Sequence, residues 1–136
     1  MMYRKNNNIS NVGAVGIYAY GTDSVITGGL NNLSIVDNVV TINTTVASPI
    51  GIQVGRSLNS NISGNTIDVY STASGQPIGL SIETGVNNST ISRNKITRSA
   101  TTAAGGYGGR GITIGTALYN SNLTVSNNIV YGMMVS

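Results

Sequence analysis

Two short phrases alternate four times along this chain, and that alternation limits the folds open to it. The first phrase runs Gly16-Ile17-Tyr18-Ala19, Gly51-Ile52-Gln53-Val54, Gly79-Leu80-Ser81-Ile82 and Gly111-Ile112-Thr113-Ile114. The second answers each one: Ser34-Ile35-Val36-Asp37-Asn38-Val39-Val40, Asn61-Ile62-Ser63-Gly64-Asn65-Thr66-Ile67, Thr90-Ile91-Ser92-Arg93-Asn94-Lys95-Ile96 and Thr124-Val125-Ser126-Asn127-Asn128-Ile129-Val130. The aligned glycines stand 35, 28 and 32 residues apart, and the aligned asparagines Asn38, Asn65, Asn94 and Asn128 stand 27, 29 and 34 apart. Self-similarity at such a period marks a solenoid. The intervals vary while the phrases keep their spacing, so insertions belong to loops outside a fixed frame.

Within each phrase, apolar residues alternate with small polar ones, which is the period of a strand and not of a helix. Each coil therefore reads as three short strands: Gly-Ile-x-Ile, then Ile-Ser, then the Ile or Val after the aligned Asn. Between the second and third strands the chain has about two residues in which to turn, and Asn tolerates the left-handed backbone that such a turn needs. Stacked in successive coils, Asn38, Asn65, Asn94 and Asn128 can bond one another as a ladder. The expected core is an aliphatic tube. Ile17, Ala19, Ile52, Val54, Leu80, Ile82, Ile112 and Ile114 come from the first strand. Ile35, Ile62, Ile91 and Val125 come from the second, and Val40, Ile67, Ile96 and Val130 from the third. The variable loops fall at Asn43 to Ile50, Tyr70 to Ile78 and Arg98 to Arg110. In the first coil the register is open, because Ser24-Val25-Ile26-Thr27-Gly28 competes with Ser34-Ile35-Val36 for the second strand.

Composition agrees with this architecture. Of 136 residues, 40% are hydrophobic, with no Phe, Trp or Cys, so Ile, Val and Leu must fill the core. Only 8% are charged, against about a quarter in an average domain, which argues against a helical bundle with charged faces. Without Cys there is no disulfide framework or thiolate metal site, and without His the commonest general base and metal ligand are missing. The net charge of +3 is a mild bias and no nucleic-acid signature. No stretch approaches a membrane span, and no apolar run follows the basic Met1-Met2-Tyr3-Arg4-Lys5 start, so no signal peptide is evident.

The repeated Gly-Ile-x-Ile and Ile-Ser-x-Asn-x-Ile phrases resemble the right-handed parallel β-helix of the pectin-lyase-like superfamily. They are most similar to repeats of large secreted surface proteins of Bacteroidota-type bacteria. The resemblance covers about residues 12–136 and implies an all-β, right-handed, single-stranded parallel β-helix of about four coils. Residues 1–11 form a polar N-terminal segment or partial coil. Family members usually have more coils and a capping helix, which makes this segment a piece of a longer solenoid, extracellular or on the cell surface.

The family's polyuronate-cleaving enzymes work on the outer face of the first strand, with clustered acids and, in lyases, an Arg or Lys base and Ca²⁺. Those motifs carry over to no position here. The chain has four acids, Asp23, Asp37, Asp68 and Glu83, and only Glu83 belongs to that face. Glycoside hydrolysis needs two carboxyl groups about one bond, and Ca²⁺ wants several carboxylates. The expectation is no catalytic residue, no metal and no cofactor.

Three other features have a functional and a structural reading. Tyr18 and Tyr20 point outward beside Gln53, Arg56 and Glu83, which makes a carbohydrate-binding face or a stiffened outer surface. Arg93, Lys95, Arg98 and Arg110 form a patch for a polyanion such as acidic polysaccharide, or merely solvated charge. The outward flanks of the second strand, Ser34/Val36, Asn61/Ser63, Thr90/Ser92 and Thr124/Ser126, have the general form of an ice-binding array, or are simply good strand formers. Gly106-Tyr107-Gly108-Gly109-Arg110-Gly111 fits G-x-G-x-x-G, but a strand phrase follows it, not a helix.

The reading that follows is a non-catalytic structural or adhesive segment of a surface protein. The alternatives are a carbohydrate-binding module on the first-strand face and a fragment of a polysaccharide lyase or epimerase. Partners would be a polysaccharide or cell-surface glycan, not nucleic acid. Open solenoid ends expose strand edges, so end-to-end association of the isolated segment is expected.

Overall fold

The structure is a computed structural model that describes residues 2–22, 29–98, 108–115 and 121–133. Among these residues the regular elements are all strands. In chain order they begin with β1 (Met2–Lys5), β2 (Asn8–Ser10), β3 (Val15–Tyr20), β4 (Leu30–Asn31), β5 (Leu33–Val36) and β6 (Val39–Thr44). The middle of the chain supplies β7 (Ile50–Gly55), β8 (Ser57–Leu58), β9 (Asn61–Ser63), β10 (Thr66–Ser71), β11 (Ile78–Ile82) and β12 (Val86–Asn87). The last are β13 (Thr90–Ser92), β14 (Lys95–Thr97), β15 (Arg110–Ile114), β16 (Thr124–Ser126) and β17 (Ile129–Tyr131).

These strands pair in parallel between successive windings of a β-solenoid. The first-strand sheet has the order β15-β11-β7-β3, the second-strand sheet β1-β5-β9-β13-β16 and the third-strand sheet β17-β14-β10-β6-β2. A fourth, corner sheet, β12-β8-β4, joins the first strand to the second. Three strands per winding were expected. The corner pair of residues was missed because it is too short to show a period. Three windings carry all four elements, β3–β6, β7–β10 and β11–β14. A half winding, β1 and β2, precedes them. In the last winding the described residues show the corner as the bridge Asn87↔Ser121.

The register is the one the phrases specify. Ile17, Ile52, Leu80 and Ile112 stack, as do Ile35, Ile62, Ile91 and Val125, and Val40, Ile67, Ile96 and Val130. The open register of the first coil closes in favour of Ser34-Ile35-Val36, which pairs with Asn61-Ile62-Ser63. The competing residues 24–28 lie outside the described residues. The third strands run longer than expected: β6 and β10 take in Asn43, Thr44, Tyr70 and Ser71, which the sequence placed in loops.

The aligned glycines mark a bend. Gly51 and Ile52 are consecutive and both buried, so the chain presents two neighbouring residues to the interior. A Cβ on Gly51 would collide with Ile67 Cγ2 and stand 2.5 Å from the Gly79 carbonyl oxygen. Gly16 meets Val40, Gly79 meets Ile96 and Gly111 meets Val130 in the same way. None of the four has a positive φ. Space requires glycine here, not an unusual backbone: the first-strand sheet passes directly over the third-strand side chains.

The core is a stacked aliphatic tube. Ile35, Val40, Ile52, Val54, Ile62, Ile67, Leu80, Ile82, Ile91 and Ile96 are fully buried. Leu33, Ile42, Val69, Val86 and Met133 join them although the repeated phrases did not single them out. Three expected core residues are exposed: Ile114 at 46%, Val125 at 44% and Val130 at 44%. They have the right parity, but they belong to the last winding, which has a described neighbour on one side only. The hydroxyl array also fails as a surface, because Ser63 and Ser92 are buried. No helix among the described residues is long and apolar enough to cross a membrane.

Candidate functional site

The most fully built polar feature is the buried asparagine ladder. Asn65 shows its logic. Its Oδ1 accepts from the backbone N–H of Asn38 at 3.0 Å and from Asn38 Nδ2 at 2.9 Å. Its Nδ2 donates to Ile35 O at 2.9 Å and to Asn94 Oδ1 at 2.8 Å. An amide has two donors and two acceptor lone pairs, and here all four are used between windings. Asn94 repeats the pattern toward Ile62 O and Asn128 Oδ1. Asn38, Asn65 and Asn94 are essentially inaccessible, a tolerable state for a polar group only when it is satisfied.

The ladder has one more rung than the sequence reading gave it. Asn7 donates to Asn38 Oδ1 through its backbone N–H at 3.1 Å and through Nδ2 at 2.9 Å. The signal was present: Asn7-Asn8-Ile9 has the spacing of Asn38-Val39-Val40.

The left-handed turn is also placed differently from expectation. The residues with φ near +55° are those before the rungs, Asn6, Asp37, Arg93 and Asn127, with Gly64 at 68°. The rungs themselves keep ordinary backbone and spend their side chains on the ladder. A second left-handed column, Asn32, Asn59, Asn88 and Asn122, precedes each second strand with φ between 49° and 55°. Its spacing of 27, 29 and 34 residues equals that of the ladder, which is the signal that would have found it. Here Asn122 Nδ2 donates to Asn88 Oδ1 at 2.9 Å and Asn59 Nδ2 to Asn31 Oδ1 at 3.2 Å.

The outer face of the first-strand sheet brings Tyr18, Tyr20, Gln53, Arg56 and Glu83 together. Alternate residues of β3 point outward, so Tyr18 and Tyr20 stack, with centroids 5.7 Å apart and planes 9° from parallel. Tyr20 lies over Gly55, its partner across the sheet, where a Cβ would strike the ring. Arg56 Cζ stands 5.3 Å from the Tyr20 centroid, within range of a cation–π contact. Arg56 also donates from Nη1 to Thr22 O at 3.3 Å, while its buried Nε meets no hydrogen-bond partner among the described residues. Tyr18 remains 61% exposed. The two rings therefore act as one stacked unit with Arg56, not as two separate platforms.

Beside this unit runs a line of hydrogen bonds across three windings. Thr113 Oγ1 donates to Ser81 Oγ at 3.1 Å, Ser81 Oγ to Glu83 Oε1 at 2.5 Å, and Gln53 Nε2 to the same Oε1 at 3.4 Å. Glu83 is thus held by neutral donors from two windings. Ser81 and Thr113 complete the outward column Tyr18–Gln53–Ser81–Thr113. No group of three Asp, Glu, His or Cys side chains gathers among the described residues. Asp37 stands in a turn and Asp68 on β10, where Thr97 Oγ1 donates to it at 3.0 Å. Asp23 lies outside the described residues.

The four cations do not share one surface. Arg93 sits exposed in its left-handed turn, and Lys95 is exposed on β14 with Nζ 5.8 Å from the Tyr131 centroid. Arg110 opens β15 in a different sheet. Arg98 is only 5% exposed. It follows Thr97, the partner of Asp68, and so stands one step further in the inward column of Ile42 and Val69. Parity counted from Ile96 would have placed it there. Of the glycine-rich motif at 106–111, residues 108–111 belong to the described residues, and Arg110 and Gly111 open β15.

Comparison with known proteins found no matching family model, no matching curated protein and no matching solved structure.

Proposed function

We propose that this chain is a non-catalytic structural and adhesive segment of an extracellular or cell-surface protein, a β-helix of the pectin-lyase-like kind. One observation carries the reading. The amide of Asn65 spends its whole bonding capacity on neighbouring windings, and Asn38 and Asn94 do the same. Such a scaffold keeps distance and shape, which suits a stalk or adhesin. The repeat phrases themselves support the secreted surface setting. Antibodies raised against the chain should label intact, unpermeabilised cells of the source organism. Labelling that appears only after permeabilisation would overturn the surface assignment.

A second reading rests on the Tyr18–Tyr20 stack. Its free Tyr18 face, with the Gln53 amide, Arg56 and the Glu83 carboxylate alongside, fits a carbohydrate-binding face: apolar area for a sugar ring and polar groups for its hydroxyls. A polysaccharide or cell-surface glycan is the partner. On a glycan array the chain should retain a defined set of ligands that Tyr18→Ala removes. An array with no ligand, or one unaffected by that substitution, would leave the scaffold role alone.

A further inference from the structure

We infer that the outer face of the first-strand sheet selects uncharged polysaccharides over acidic ones, and that Glu83 makes the choice. The inference rests on the carbohydrate-binding reading. It adds the chemical class of the ligand and the atom that receives it.

Glu83 directly follows β11, which lies between β7 and β15 in the sheet. Its carboxylate is oriented by neutral donors. Ser81 Oγ and Gln53 Nε2 both bond Oε1, at 2.5 and 3.4 Å. Ser81 is itself buried and receives Thr113 Oγ1, so it is a fixed support. Gln53 and Ser81 stand in the column of Tyr18, and their bonds draw Oε1 toward that column. Oε2 is left over. Among the described residues it meets no donor, and the carboxylate forms no ion pair. Half-buried Glu83 therefore offers the face an acceptor oxygen of fixed direction, with lone pairs to spare.

Arg56 does not offset this carboxylate at the ligand. Tyr18 pairs with Gln53, and Tyr20 with Gly55, the residue before Arg56. Along the strand the order is thus Tyr18, Tyr20, Arg56. The guanidinium is turned to the Tyr20 ring and to Thr22 O, beyond Tyr20 as seen from the Tyr18–Gln53 column. The backbone marks the same commitment. Arg56 has a φ of 47°, whereas the residues before the other two corner strands are Gly29 and Gly85, at 35° and 76°. A side chain is kept there at a conformational cost, and it is spent on Tyr20.

The chemistry follows from these positions. A sugar hydroxyl that donates to Glu83 Oε2 makes a charge-assisted bond, about twice as strong as a neutral one. A uronic acid brings a second carboxylate to the same place. Like charges brought together reject the wrong partner. One side chain thus supplies attraction for an uncharged ring and repulsion for an acidic one.

A glycan array tests this when it carries gluco-, manno- and galacto-oligosaccharides beside their uronic-acid counterparts of equal length, read at low salt. The unaltered chain should retain neutral oligosaccharides and not their acidic counterparts. Glu83→Gln keeps the size and the acceptor but removes the charge. It should weaken neutral ligands about tenfold and bring the acidic ones to within about threefold of them. In the unaltered chain, high salt should narrow the gap between the two classes by screening the repulsion, a readout that needs no variant to fold. Acidic ligands held as well as neutral ones, or a preference unchanged by Glu83→Gln, would overturn the charge selection and leave the carbohydrate face standing. Retention of no glycan at all would remove the face and this inference together.

Discussion

Asn65 donates its side-chain N–H to Asn94 Oδ1 at 2.8 Å, and both residues are almost wholly buried. This single bond represents the junction between windings. Each rung depends on the next for satisfaction, so damage at one rung strands groups on both sides.

Replacing Asn65 by Leu should therefore be severe. It leaves the two Asn38 donors and the Ile35 carbonyl without their Asn65 side-chain partner and takes one of two donors from Asn94 Oδ1, which keeps the backbone N–H of residue 65, and each stranded buried group costs about 1–3 kcal/mol. The terminal rung is different. Asn7 is exposed, and Asn7→Ala should cost about 1 kcal/mol or less, the ordinary value of one solvated hydrogen bond. Chemical denaturation of the two variants should show this order.

Asn65→Asp should make stability depend on pH in a defined direction. A carboxylate there would face two acceptors, Ile35 O and Asn94 Oδ1, at a fully buried position. Burial and acceptor neighbours both favour the protonated acid, so the folded pKa lies above the unfolded one. Stability is then lost as pH rises through the folded value. Measured against wild type at each pH, the deficit should be largest at neutral pH and shrink on acidification. A deficit that is constant with pH would contradict this environment.

Gly51→Ala should destabilise by about 1–3 kcal/mol through overpacking. Trimming Ile67 should not fully restore it, because the Gly79 carbonyl also blocks the new methyl. Gly13→Ala is the control: nothing lies within 4 Å of its Cβ position, and it should be neutral or slightly stabilising. Equal effects at the two sites would remove the steric account of the repeated glycine.

Asn59 has a φ of 54° on an exposed turn. Asn59→Ala should cost about 1 kcal/mol, the left-handed penalty for a residue with a Cβ and no local amide. Asn59→Gly should be close to neutral. Thermal melts of the pair, read against wild type, check the turn assignment.

Burial along one column should grade the cost of truncation. Ile91→Ala, at a fully buried position, should lose about 2–5 kcal/mol, whereas Val125→Ala, at 44% exposure, should lose well under half of that. The comparison tests whether the last winding is an open end.

The repeated phrases carried most of the fold because a stacked solenoid brings equivalent positions together. Ile35, Ile62 and Ile91 share one role, so recurrence in the sequence became a column in space. The outer face was legible in part. Parity alone brought Tyr18, Tyr20, Gln53 and Glu83 to one side, but it could not reveal that the two rings stack on each other or that Ser81 ties Glu83 to Thr113. The basic group was misread because Arg98 was judged by its nearness in sequence to Arg93 and Lys95, and not by its inward parity after Ile96.

The sequence by itself determined the period, the strand alternation, the register of three sheets and the aliphatic lining, because these depend only on which residue types recur at which spacing. Tertiary structure alone decided which asparagine bends and which one bonds. Asp37 and Asn38 are neighbours with comparable tolerance for a left-handed backbone, but only the second position points between windings, where an amide finds donors and acceptors on both sides. It also decided why the glycines recur. Nothing in the chain near Gly51 demands a missing side chain; the demand comes from Ile67, sixteen residues away in sequence and directly beneath it across the tube.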